Sequence, residues 1–128
     1  MTKAVLKFIS DAMEAAGIPY EFMEFTSSIK SLKSYWVGEY SEITSDTEDG
    51  CQESQFILTG TGKGSWLDLE SQKEKIESLF PMIGGRTAIL DNGSGVAVFY
   101  GNAFPVPTGD AFLKRLQVNL IIKEWKVK

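Results

Sequence analysis

The sequence predicts an α+β domain, an antiparallel sheet with two helices packed on one face, in the chain order α-β-β-β-α-β-β-β. Three observations carry that expectation. Two stretches place apolar residues at helical spacing, and several others alternate apolar with polar. Turn-forming residues separate the later strands from each other, which favours hairpins over parallel crossovers. The 128 residues suit one domain that buries roughly two-thirds of its unfolded surface, so 1–128 is read as a single unit. No internal repeat or low-complexity tract divides it.

Thr2 to Ala16 reads as an amphipathic helix, because Val5, Phe8, Ile9, Ala12, Met13 and Ala16 follow the i, i+3, i+4, i+7 spacing. Lys7 and Asp11 stand four apart on its polar side, and Gly17 is a natural stop. Ile18, Tyr20 and Phe22 then suggest a short strand. Tyr35 to Ile43, rich in aromatic and β-branched residues, predicts a second strand, followed by an acidic turn over Thr44 to Glu53. Gln55 to Thr61 predicts its antiparallel partner.

Ser65 to Phe80 predicts the second helix, with Ser65 as cap, Asp68 completing a Ser-x-x-Asp box and Leu69, Ile76, Leu79 and Phe80 as its apolar side. Lys73 and Glu77 are spaced for an ion pair, and Pro81 follows the end. Asp91-Asn92-Gly93-Ser94 is a hairpin signal between strands at Arg86–Leu90 and Gly95–Phe104. Pro105 to Gly109 then breaks regular pairing.

The last segment, Phe112 to Lys128, alternates Leu116, Val118, Leu120 and Ile122 with Gln117, Asn119 and Ile121. Lys123 and Glu124 interrupt, and Trp125 and Val127 put the apolar side on the other parity. As a strand it reaches ~15 residues, roughly 50 Å, against a radius of gyration of about 14 Å for a domain of this size. The expectation is that part of this ribbon lacks a partner in its own chain and pairs with another subunit.

Charge is unevenly spread about a net value of −4. Between Lys33 and Lys63 there is no Lys or Arg, yet Glu39, Glu42, Asp46, Glu48, Asp49 and Glu53 lie there. The end of the chain is the reverse, with Lys114, Arg115, Lys123, Lys126 and Lys128 against Glu124. Opposite fields suit either two solvated faces or a head-to-tail interface. The net acidity argues against a sequence-specific nucleic-acid binder. No apolar run approaches the ~20 residues that span a bilayer, and no charged-then-apolar leader opens the sequence, so cytoplasmic synthesis is expected.

Chemistry has few candidates. Histidine is absent, which removes Ser-His-Asp and Cys-His pairs and imidazole zinc sites. Cys51 is the only cysteine and stands among acids that raise a thiol pKa. Gly60-Thr61-Gly62-Lys63-Gly64-Ser65 precedes a helix, as phosphate-binding loops do, but its spacing fits neither a P-loop nor a dinucleotide fingerprint. It reads as a flexible connector. Asp46 to Gly50 departs from a calcium loop at its glycine and at position twelve, where Ile57 stands. Glu39 and Glu42, three apart on a strand, fall on opposite faces. The reading is therefore non-enzymatic, with no cofactor and no metal. Trp36, Tyr40, Trp66, Phe104 and Trp125 are candidate interface anchors, with core packing the alternative for each.

The chain resembles tail-terminator (tail-completion) and related minor tail or head–tail connector proteins of long-tailed bacteriophages and prophages. The likeness rests on the helix Val5–Ala16 with its Ala-Gly-Ile-Pro exit, on Tyr35-Trp36-Val37-Gly38-Glu39-Tyr40, on the Glu-Asp-Gly turn at Glu48–Gly50, on Phe56–Gly60 and on the Leu116–Trp125 ribbon. It covers most of the chain as an architecture. The resemblance implies a structural protein that forms a homo-oligomeric ring, hexameric in that family, and docks other tail or connector proteins. It also implies assembly in the host bacterial cytoplasm and residence in the virion tail. The expected self-assembly residues are Trp36, Glu48, Asp49, Lys123, Trp125 and Lys126. The alternative is a small α+β ligand- or peptide-binding module of adaptor or immunity type.

Overall fold

A computed structural model describes residues 1–25, 33–43, 50–63 and 65–126. Helix α1 spans Lys3–Ala15 and strands β1 Tyr20–Phe22, β2 Ser34–Glu42 and β3 Cys51–Lys63 follow. Helix α2 spans Trp66–Leu79 and leads to β4 Arg86–Ile89, β5 Gly95–Val106 and β6 Leu113–Trp125. The strands form one curled six-stranded sheet in the order β1-β2-β3-β6-β5-β4.

This corrects the expected α+β class with a purely antiparallel sheet. Strand accounts for 48% of the described residues, so the molecule is mostly sheet, and the sheet is mixed. Tyr20, Glu21 and Phe22 pair in parallel with Trp36, Val37 and Gly38. Eleven residues separate Phe22 from Ser34, a connection long enough for a parallel return. Met23 begins it at a left-handed φ of 68° and donates its N–H to Gly38. The Phe25 ring then lies 5.0 Å from that of Tyr35, so the chain turns back rather than continuing along β2.

The final strand overturns a second expectation. β6 is long, but it is the spine of the sheet: all thirteen residues pair with β3, and Arg115–Trp125 pair with β5 as well. Its neighbours are as long because they outrun their sequence signals. β3 begins inside the acidic turn at Cys51, and β5 runs through Pro105 to Val106. The ribbon therefore has its hydrogen-bonding company within its own chain.

Both helices pack on one face. Val5, Ile9, Ala12 and Met13 of α1 and Leu69 and Ile76 of α2 meet Trp36, Phe56, Leu58, Leu116, Val118, Leu120 and Ile122 in a single core. The Thr2 hydroxyl does not cap α1; it donates instead to Glu124 Oε2 at 2.7 Å. Ser65 does cap α2, accepting from the Leu67 N–H at 3.1 Å. Lys7 and Asp11 pair at 3.3 Å, whereas Lys73 pairs with Glu70, at 2.9 Å, rather than with Glu77.

The glycine-rich stretch is strand, not connector. Gly60 and Gly62 pair with Trp36 and Ser34 on one side and with Leu116 and Lys114 on the other. Their peptide groups belong to the ladder, which leaves no phosphate cradle at Gly60–Lys63. Gly60 is needed because a Cβ there would stand 2.6 Å from the Trp36 ring. At Gly101 a bulge shifts the β5 register between Tyr100 and Asn102, and a Cβ there would meet the Asn119 carbonyl oxygen at 2.8 Å. The bulge has a large effect, because it moves Asn102, Phe104 and Val106 onto the face without helices.

Candidate assembly surface

Alternation along the long strands sends one set of side chains into the helix-covered core and the other to a face that, among the described residues, no helix covers, called the bare face below. Cross-strand register aligns that second set. Val37, Thr59, Gln117 and Phe104 form one row; Glu39, Ile57, Asn119 and Asn102 the next; then Ser41, Gln55, Ile121 and Phe99. The rows at the centre carry no cation. Charged residues stand towards the margins, with Glu39 on β2, Arg115 at one end, and Glu53 opposite Lys123 at the other. Gln117 Nε2 donates to Asn119 Oδ1 at 3.0 Å, and Asn119 Nδ2 donates to Asn102 Oδ1 at 2.8 Å. The two bonds link the three amides in a chain across the centre of the face, beside the apolar Phe104 and Ile121.

Six strands about 4.8 Å apart, three of them 12 or 13 residues long and the others 3, 9 and 4, give a face of roughly 850 Å² at about 3.3 Å per residue. A standard protein interface takes about 800 Å² from each partner. The exposed apolar residues on or beside this face include Ile43, Ile89, Phe104, Ile121 and Trp125. At the β4 end, Ile89, Ala97, Phe99 and Trp125 line an open depression of about 510 Å³.

The residues expected at an interface divide. Lys123 and Trp125 share the bare face; the Lys123 ammonium lies 6.0 Å from the Phe99 ring centroid, and Trp125 is 39% exposed. Lys126 is half-buried, its N–H bonded to the Gly50 carbonyl. Trp36 is wholly buried and donates Nε1–H to Gln72 Oε1 at 2.7 Å, so it anchors the core and not an interface. Glu48 and Asp49 lie outside the described residues. Tyr40, Trp66 and Phe104 are surface-exposed.

As the pattern after Lys123–Glu124 leads one to expect, Trp125 stands on the face opposite Leu116, Val118, Leu120 and Ile122, with the strand register unbroken. Glu124 keeps the core parity and is 1% exposed, accepting from the Thr2 N–H and hydroxyl. Trp125 stays on the face of Ile121 and Lys123. A buried carboxylate with a partner at the far end of the sequence leaves no periodic trace, so sequence reasoning could not find it.

Ionisation is perturbed away from this face. Burial pushes the Tyr20 and Tyr100 hydroxyls up, and the hydrogen bond to Glu70 raises Lys73. Among the described residues, no group of three or more His, Cys, Asp or Glu could hold a metal ion, and no helix is long and apolar enough to cross a membrane. No protein-family model matches this chain, and no curated protein is similar to it.

Proposed function

We propose that the chain is a structural protein of a phage or prophage tail, of the tail-terminator or head–tail joining type, which assembles as a homo-oligomeric ring. The observation that supports this most is the one-sided cover of the sheet. Two helices enclose one face, while among the described residues no helix covers the other, which is about the size of a protein interface. Its uncharged centre with charges at the margin is the pattern of a protein contact. In this reading the bare face meets the next component of the tail, around Phe104, Ile121 and Trp125. The protein acts in the host bacterial cytoplasm during assembly and in the virion tail afterwards.

Light scattering coupled to size exclusion tests the reading, run at low and high concentration, with and without purified tail tubes. A ring, alone or on tubes, is expected, and Ile121→Glu is expected to remove tube docking while leaving the far-UV spectrum unchanged. A strict monomer that ignores tubes in every run would overturn it. The depression beside Trp125 favours a second reading, a peptide- or ligand-binding module of adaptor type, for which a stable monomer is the expected state.

A further inference from the structure

We infer that two copies join about a two-fold axis through Ala88, β4 of one pairing antiparallel with β4 of the other so that the two sheets run on as one. The contact goes beyond the tail reading and does not depend on it.

The last strand of the sheet has one side paired and one side open. The Leu90 N–H bonds to Ser94, so the even residues of β4 turn their peptide groups to β5, and those of Thr87 and Ile89 point outward. Among the described residues, nothing donates to or accepts from those outward groups, and no strand lies beyond β4. Thr87 and Ile89 are both exposed, Ile89 at 80%. Natural edges are commonly guarded by a lysine, a proline or a bulge. Arg86-Thr87-Ala88-Ile89 has none of these, and its one charge, Arg86, lies on the helix side, 5.8 Å from the centroid of the Phe8 ring.

Parity leaves one register. Outward residues must oppose outward residues, so the axis passes through Thr87, Ala88 or Ile89. About Thr87, Ile89 would oppose Gly85, whose φ of 64° lies outside strand geometry. About Ile89, Thr87 would oppose Asp91, which belongs to the turn after β4. About Ala88, Thr87 of each copy exchanges both bonds with Ile89 of the other, and every outward group of the strand is used. The same register suits the side chains. On the bare face, Ile89 of one copy stands beside Thr87 of the other, at the rim of the depression that Thr87, Ala97, Phe99 and Trp125 line. On the helix side Ala88 meets Ala88, and Arg86 opposes Leu90 of the other copy, next to its Asp91. The two Arg86 residues stand four positions apart along the strands, about 13 Å.

Charge agrees with this axis. Lys7 and Asp11 of α1 line a groove together with Ala88, Leu90 and Asp91, so that side of the helix faces the same edge. The axis sets two such helices antiparallel and offers Lys7 of each copy to Asp11 of the other. Both side chains are accessible for it, at 73% and 59%. A foreign strand on this edge would lack that reciprocity. An isologous contact ends at two copies, so a ring is built from such pairs only through another surface.

Disulfide trapping in a Cys51→Ser background tests the axis. Ala88→Cys places two thiols across a non-hydrogen-bonded pair, where Cα atoms lie about 4.5 Å apart, within the range of about 4.4–6.8 Å that a disulfide spans. Oxidation is expected to give a covalent dimer and no ladder. Thr87→Cys puts its thiols on a diagonal of about 7–8 Å and is expected to stay monomeric on a non-reducing gel. Light scattering of the parent chain should show a dimer that grows with concentration. Thr87→Pro removes an outward N–H and none of the β5 pairing. It is expected to keep the far-UV spectrum and raise the concentration for half-dimerisation by about tenfold or more. Lys7→Glu and Asp11→Lys should each weaken pairing, and mixing the two variants should recover it, because unlike copies complement again. A parent chain that is strictly monomeric at its highest soluble concentration would overturn the inference. So would faster cross-linking through Thr87→Cys or Ile89→Cys than through Ala88→Cys. A chain that pairs as described yet ignores tail tubes would instead sink the tail reading and keep this contact.

Discussion

The two faces of this sheet are built from alternate residues of the same strands, yet they carry opposite compositions. Leu116, Val118, Leu120 and Ile122 point into the helices and are almost wholly buried, while Gln117 and Ile121, one residue away, look outward and remain partly accessible. Strand propensity cannot separate the two sets, because both tolerate a pleated backbone equally well. What separates them is the helical cover. Stability is therefore concentrated on one parity, and substitutions on the other should change contacts with other molecules more than folding.

The largest test of that division pairs Gly60 with Thr59. A Cβ at Gly60 would press on the Trp36 ring at 2.6 Å, and that ring is fixed by its bond to Gln72. Gly60→Val is expected to cost about 2–3 kcal/mol by urea denaturation. Thr59→Val, on the bare face, should stay within about 0.5 kcal/mol. Equal losses at the two positions would mean that the bare face also carries a core.

A second pair sharpens the comparison at the end of β6. Glu124 is buried and accepts two hydrogen bonds from Thr2, whereas Lys123 faces outward over Phe99. Removing a buried charged acceptor leaves its donors unpaired, so Glu124→Ala is expected to lose about 2 kcal/mol. Lys123→Ala should lose about 0.5 kcal/mol, the worth of an exposed cation–π contact. Thermal unfolding at neutral pH checks both.

Periodic features were the legible ones. The α1 stripe from Val5 to Ala16 and the Leu116–Ile122 alternation depend on spacing alone, and both elements stand where the spacing put them. Long-range pairing was not legible. A thirteen-residue strand looked surplus because Cys51–Glu53 and Pro105–Val106 carry turn-like residues yet extend its two neighbours. The parallel placement of β1 depends on how the chain returns to Ser34, which no local pattern encodes. Gly101 moves three residues to the other face through a register shift that a lone glycine only hints at. On the candidate surface, Lys123 and Trp125 share the face opposite the helices, a placement that follows from their odd positions on an unbroken strand. Trp36 was misread because a tryptophan that packs on a glycine across a strand pair has the same sequence appearance as an exposed anchor.

Loosening the cover itself gives a smaller effect. Ser65 holds the first turn of α2 by accepting from the Leu67 N–H, and Asp68 adds a negative charge near that positive end. Ser65→Ala is expected to cost about 1 kcal/mol. If the bare face is independent of the cover, the tail-tube docking proposed above should be the same for the variant and the parent. A matching loss of docking would show that α2 shapes the far side of the sheet.

The smallest effect is silent at neutral pH. Burial raises the Tyr20 hydroxyl above its ordinary value of 10.0, because the phenolate would lose its hydration against the core. The folded state therefore holds this proton more tightly than the unfolded chain does. The stabilisation is complete below the unfolded pKa and declines as pH rises from there toward the folded value. Denaturation midpoints followed from about pH 9 to about pH 11 should fall, and Tyr20→Phe should reduce the slope by about one proton. Because Tyr20 belongs to the covered face, a substitution on the other face such as Ile121→Glu should leave that slope unchanged. A change in the Tyr20 titration in that variant would mean that β1, the three-residue edge strand, is coupled to the far side of the sheet.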